Sequence, residues 1–118
     1  MASILIAEDA RLQQVIIQKF VESEHSVAGV VSDADGAVEF VNEHAPDVVL
    51  MDISLVDGDG ITAAREIKAQ TPETAVIIST AQVSRDIKRM AREIPIESYL
   101  VKPYSKEALL DAIDDALS

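Results

Sequence analysis

"VVLMDISL", residues 48–55, runs four apolar residues directly into a carboxylate, Asp52. A short apolar, β-branched run of this kind forms a strand buried on both faces, as in a parallel sheet covered by helices. Four further runs match it: "SILIA" at 3–7, "SVAGVV" at 26–31, "AVIIS" at 75–79 and "SYLV" at 98–101, with "DVVLM" at 47–51 as the third of five. Between them apolar residues recur at helical spacing: Leu12, Val15, Ile16 and Phe20, then Ile61, Ala64 and Ile67, then Leu109, Leu110, Ile113 and Leu117. These sets predict helix faces turned to the core. Pro46, Pro72 and Pro95 each stand one to three residues before a strand, where a helix has to have ended. The alternation predicts an α/β fold, a (βα)5 doubly wound five-stranded parallel sheet with right-handed crossovers.

At 118 residues and 48% hydrophobic content the chain suits one domain, residues 1–118, with a real core. Its formal charge of −11 opposes direct binding to nucleic acid or to an anionic membrane, and favours cations and basic surfaces. With no cysteine there is no disulfide framework, thiolate zinc site or cysteine nucleophile. No run reaches the length of a membrane span, and "MASILIAEDA" turns acidic too early for a secretory signal, so a cytoplasmic protein is expected.

In doubly wound sheets ligands sit outside the carboxyl ends of the strands, where the strand order reverses. The strand-ending residues are Glu8 and Asp9, Ser32 and Asp33, Asp52, Ser79 and Thr80, and Lys102 with Pro103. In the order 2-1-3-4-5 the first and third strands are neighbours, and three carboxylates meet. Two like charges about 5 Å apart repel by roughly 3 kcal/mol at an effective dielectric near 20, so the group needs counter-charge. Lys102 supplies one positive charge, and Mg²⁺ suits a site of few carboxylates, waters and a phosphate. The plainer alternative is that Glu8 and Asp9 cap the first helix and Asp52 caps a loop.

Along essentially its whole length the sequence resembles the receiver domain of two-component response regulators, a flavodoxin-like fold. The resemblance lies in "LIAED", "DVVLMDISLVDGDG", "VIISTA" and "YLVKPY", with 43 residues from Asp9 to Asp52, 28 on to Thr80 and 22 more to Lys102. It implies that Asp52 accepts a phosphoryl group from a phosphohistidine on a sensor histidine kinase or histidine phosphotransfer protein. Glu8, Asp9, Asp52 and the backbone carbonyl of Ser54 would hold Mg²⁺. Thr80 and Lys102 would bind the phosphoryl oxygens, and Thr80 with Tyr99 would form the switch. Pro103 would follow a cis bond. The product would be a signalling switch rather than a turnover enzyme, acting on a downstream protein target with no effector domain in this chain. Neither histidine needs a role, and His25 and His44 both read as solvated loop residues.

Three positions depart from the usual family pattern: Glu8 stands where aspartate is commoner, Val56 replaces a frequent proline, and Pro95 replaces a glycine after the fourth helix. Tyr104, where the family often has phenylalanine, reads as a packing residue. "SRDIKRMAR" gathers Arg85, Lys88, Arg89 and Arg92, four of the chain's ten bases. Opposite it the last helix carries Asp111, Asp114 and Asp115. A solvated helix face explains the cluster, and so does a partner face: a basic helix against an acidic one would suit a phosphorylation-dependent homodimer.

Three rival readings use the same residues. "DGDGIT", 57–62, matches the start of a phosphatase-type hydrolase with an aspartyl nucleophile, but there the nucleophile ends a strand, and Asp57 does not. The string also suggests a calcium loop, for which Ile61 and Lys68 stand at ligand positions. A flavin-phosphate site would need a Ser/Thr/Gly loop where "AEDA" stands. A binding-only degenerate receiver remains the alternative within the family.

Overall fold

Each apolar run forms the strand its composition predicts: β1 (Ser3–Ala7), β2 (Ser26–Val31), β3 (Val48–Asp52), β4 (Ala75–Thr80) and β5 (Ser98–Val101). The helices are α1 (Arg11–Glu22), α2 (Ala34–His44), α3 (Gly60–Gln70), α4 (Arg85–Glu93) and α5 (Lys106–Leu117). The computed structural model describes residues 1–55 and 60–118, so Val56 and Asp57 lie outside the described residues. All four strand pairings are parallel, in the order β2-β1-β3-β4-β5.

Strand alternation splits the core into two layers. Leu5, Val49, Met51, Val76 and Ile78 face α2, α3 and α4, where Ala37, Val41, Ala64, Ile67 and Met90 cover them. Ile4, Ile6, Val48, Leu50 and Ile77 face α1 and α5 and meet Ile17, Val21, Leu109 and Ile113. Every residue of β3 and β4 is buried, whereas none is fully buried in the edge strands β2 and β5. Serine and aspartate side chains start three of the helices: Asp33, Ser84 and Ser105 accept from the N–H groups of Gly36, Ile87 and Ala108. α4 ends through Ile94 in an extended conformation just before Pro95, so it stops without the left-handed cap that glycine would supply.

Two expectations are overturned. The inward face of α1 is Gln14, Ile17 and Val21, whereas Leu12 is 69% exposed and Val15 and Ile16 also lie at the surface. Ile17 and Val21 fill the core on that face, and Gln14 Nε2 beside them donates to the Glu8 carbonyl at 2.6 Å; of the expected stripe only Phe20 packs partly against the core. His25 is not a solvated loop histidine, for its side chain is only 9% exposed. Its Nδ1 accepts from the Ala2 N–H at 3.0 Å, and Nε2 lies 3.9 Å from Asp114 on α5. His44 is exposed, as expected, and its ring leans on Phe40.

A partly buried ion pair closes the opposite end of the sheet from the candidate site. Lys68 Nζ, at the end of α3, donates to the Pro72 and Thr74 carbonyls at 3.0 and 2.9 Å and to the Glu97 carboxylate at 2.9 Å. Glu97 Oε1 in turn accepts from the Val76 N–H at 2.8 Å, so one ammonium ties α3, β4 and the entry to β5 together.

Candidate functional site

Register sets the site. Ala7 pairs with Met51, so the next residue, Glu8, falls beside Asp52; Asp52 pairs with Ser79, and Ser79 with Leu100. Alternation puts Glu8, Asp52 and Ser79 on the side of Ile6, Leu50 and Ile77, the face covered by α1 and α5. Lys102 follows β5, its N–H donating to the Thr80 carbonyl at 2.7 Å, and its side chain returns over the same row.

There one ammonium serves two acids. Lys102 Nζ lies 3.2 Å from Glu8 Oε1 and 3.0 Å from Asp52 Oδ2, and both carboxylates are buried. Their second oxygens take backbone donors: Glu8 Oε2 accepts from Ala10 N at 3.1 Å and Asp52 Oδ1 from Ser54 N at 3.0 Å. With Asp9, these acids each offer an oxygen, all within 4.8 Å of one another. α1 has no side-chain N-cap, so neither Glu8 nor Asp9 serves as its cap. Three hard oxygens converging in a partly buried cleft fit Mg²⁺, which prefers a few carboxylates and keeps several waters.

The electrostatics follow from two acids competing for one cation. Burial, the largest effect, pushes the Glu8 carboxyl above its usual range, and Asp52 adds to it, while the Ala10 N–H and Lys102 pull the other way. Burial also works against the charge on Lys102, but Asp52 and then Glu8 outweigh it and hold the ammonium above its ordinary value. Two adjacent carboxylates therefore remain under-neutralised, as a divalent-cation site requires.

The other expected residues stand close by, not all yet engaged. Thr80 is buried, and its hydroxyl donates to the Gln82 carbonyl at 3.0 Å, so binding a ligand over Asp52 requires it to leave that turn. Tyr99 is 41% exposed on the outer face of β5. The Lys102–Pro103 peptide is cis. Arg85, Lys88, Arg89 and Arg92 are exposed along α4, where Arg89 pairs with Asp86 at 3.0 Å, and Asp111 and Asp115 are exposed on α5.

Gly60 closes the stretch "DVVLMDISLVDGDG", but nothing in its spacing reveals its role. A β-carbon there would come within 2.5 Å of the Asp52 carbonyl oxygen and 2.8 Å of Ile53 Cα, so only glycine lets α3 start against the end of β3. Gly60→Ala is expected to lower stability by about 1–3 kcal/mol through overpacking and to displace the Asp52 backbone. Urea unfolding checks the first effect. Amide chemical shifts at Asp52 and Ser54 check the second, and unchanged shifts would contradict it.

The comparisons agree with this geometry. The family model described as "Response regulator receiver domain" matches residues 4–114. The transcriptional regulatory protein PdtaR of Mycobacterium tuberculosis is 37% identical over 116 residues, 98% of this chain; the chain spans 56% of that relative's length. The chemotaxis protein CheY of Bacillus subtilis is 32% identical over 116 residues, covering 98% of this chain and 97% of CheY. Among solved structures, the receiver domain of the sensor histidine kinase PA1611 from Pseudomonas aeruginosa, with a magnesium ion in its active-site cleft, superposes with a TM-score of 0.88. It is 28% identical and covers 98% of this chain and 97% of that one. A strand order that brings β1 against β3, acids at both their ends and a lysine returning from β5 thus coincide with a family match over nearly every residue. The chain belongs to the response regulator receiver domains of two-component signalling.

Proposed function

We propose that Asp52 is the phospho-acceptor of this receiver, taking its phosphoryl group from a histidine kinase or histidine phosphotransfer protein. The observation that supports this most is the shared Lys102 ammonium, 3.0 Å from Asp52 and 3.2 Å from Glu8, with Asp9 completing the acidic group. An Asp52 oxygen attacks phosphorus, the P–N bond of the phosphohistidine breaks, and the imidazole leaves with that electron pair, giving an acyl phosphate. Mg²⁺ held by Glu8, Asp9, Asp52 and the Ser54 carbonyl would screen the repulsion between carboxylate and phosphoryl group. Lys102 meets the phosphoryl oxygens, and Thr80 follows once its hydroxyl releases Gln82. Tyr99, now exposed, then turns inward and changes the α4–β5–α5 face.

Partner contacts follow from the exposed surfaces. Leu12, Val15 and Ile16 put an apolar stripe beside the site, suited to a phosphotransfer partner. Arg85, Lys88, Arg89 and Arg92 against Asp111 and Asp115 suit a downstream protein target or a second copy of this chain. Among the described residues no helix is long and apolar enough to cross a membrane.

Incubation with acetyl phosphate tests the reading. One phosphoryl group per chain is expected with Mg²⁺, and none with EDTA or in Asp52→Asn. Multiple turnover that survives Asp52→Asn and stops in Asp57→Asn would favour a hydrolase. No uptake under any condition would favour a binding-only receiver.

A further inference from the structure

A buried side-chain amide reaches the metal acids from the core. Gln14 is 8% exposed and shares the sheet-facing stripe of α1 with Ile17 and Val21, where an apolar residue would be the default. Its Nε2 donates to the Glu8 carbonyl at 2.6 Å. Burying an amide is costly unless it is paired, so the stripe loses apolar contact there and gains a bond to this carbonyl.

That carbonyl belongs to the peptide joining the two consecutive acids. An extended chain sends consecutive side chains to opposite faces of a sheet. Glu8 and Asp9 do not follow that rule: the chain bends at Asp9, and an oxygen from each acid lies within 4.8 Å of the other and of Asp52. The orientation of the Glu8–Asp9 peptide therefore decides whether Asp9 joins Glu8 over Asp52.

Glu8 is held from several directions. Its N–H donates to the Val31 carbonyl of β2 at 3.0 Å, and its carboxylate meets the Ala10 N–H and Lys102. Its carbonyl lies past the last residue of β1, and the donor comes from α1 as Gln14. Turning the peptide away would leave a buried amide and a carbonyl without each other, and a buried polar group stripped of its partner is penalised. The Gln14 bond thus opposes the rotation that would swing Asp9 out of the group.

We propose that Gln14 is a positioning residue of the metal site, its amide locking the Glu8–Asp9 peptide so that both carboxylates face one cation. The assignment rests on the Mg²⁺ reading of these acids.

Titration with Mg²⁺, followed by amide chemical shifts at Asp52 and Ser54 and with no phosphoryl donor present, tests it. Gln14→Met keeps the length of the side chain and removes the donor, and is expected to weaken Mg²⁺ binding about ten-fold, as for loss of a bond that orients a metal ligand. Before metal is added, the Asp9 amide nitrogen, in the same peptide as the Glu8 carbonyl, should already have shifted. Ile17→Val trims the packing of the same stripe and leaves the amide in place, so it should lower stability without changing Mg²⁺ affinity. Unchanged affinity in Gln14→Met, an Asp9 nitrogen that stays put, or equal losses of affinity in the two variants would overturn the assignment and leave Gln14 a paired core amide. If Gln14→Met does not fold, the Gln14 side-chain amide of the unsubstituted protein decides: its resonances should move on adding Mg²⁺, and resonances that ignore the metal overturn the assignment. No Mg²⁺ binding by the unsubstituted protein would instead defeat the metal reading, and this assignment with it.

Discussion

Lys68→Ala is expected to destabilise the fold by about 2–3 kcal/mol, below the cost of breaking a fully dry ion pair from one side because the Glu97 side chain is partly exposed. The Lys68 side chain is 4% exposed and that of Glu97 29%, so the orphaned carboxylate cannot fully rehydrate. The Pro72 and Thr74 carbonyls lose their donor as well. At roughly 4 °C per kcal/mol for a domain of this size, the melting temperature should fall by about 8–12 °C. Removing both charges behaves differently: Lys68→Met with Glu97→Leu should recover part of the loss, since no charge is left unpaired, while the Pro72 and Thr74 carbonyls stay without their donor. Calorimetric melting of the single and double variants checks both statements. A single variant that melts within a few degrees of the unsubstituted protein would mean that the pair contributes little.

Lys102→Met should act on stability and on the site at once. It removes the ammonium that Glu8 and Asp52 share and leaves two adjacent buried carboxylates without a protein cation. At neutral pH the expected cost is about 2–3 kcal/mol, below that of a fully dry pair because the Lys102 side chain is 27% exposed. The pH dependence has a definite sign. The folded-state pKa of Glu8 lies above its ordinary value of 4.5, so between 4.5 and that raised value the native state binds more protons than the unfolded one. Stability therefore falls as pH rises through this window, and below it the penalty is absent. Without Lys102 the raised value climbs further and the fall steepens. Urea unfolding at pH 4 and pH 8 should show a small difference from the unsubstituted protein at acid pH and a large one at alkaline pH. Added Mg²⁺ should shrink the alkaline difference. Equal costs at both pH values would contradict the linkage. Phosphoryl uptake should fall by about 10²–10³-fold, as for loss of one preorganised donor.

Some of this was legible in sequence because it depends on local pattern. The five runs gave the strands almost to the residue, since β3 and β4 are buried on both sides and tolerate little besides apolar residues. Glu8, Asp9, Asp52 and Lys102 were legible because each ends or follows a strand, and a parallel sheet delivers all such positions to one edge. Helix rotation was less legible. Leu12, Val15 and Ile16 carry the helical period, yet the neighbouring stripe of Gln14, Ile17 and Val21 is the one that faces the sheet. Lys68 and Glu97 are 29 residues apart and neither belongs to a motif, so only the fold could bring them together. The same holds for Ser79 and Tyr104, two hydroxyls that only the fold seals from solvent.

After reaction with acetyl phosphate and Mg²⁺, reduction of the acyl phosphate with borohydride marks the modified side chain, and peptide sequencing by mass spectrometry locates it. A mark on Asp52 alone, absent in Asp52→Asn, is expected; a mark on Asp57, Asp9 or Glu8 in the unsubstituted protein would contradict the assignment of Asp52 as the phospho-acceptor.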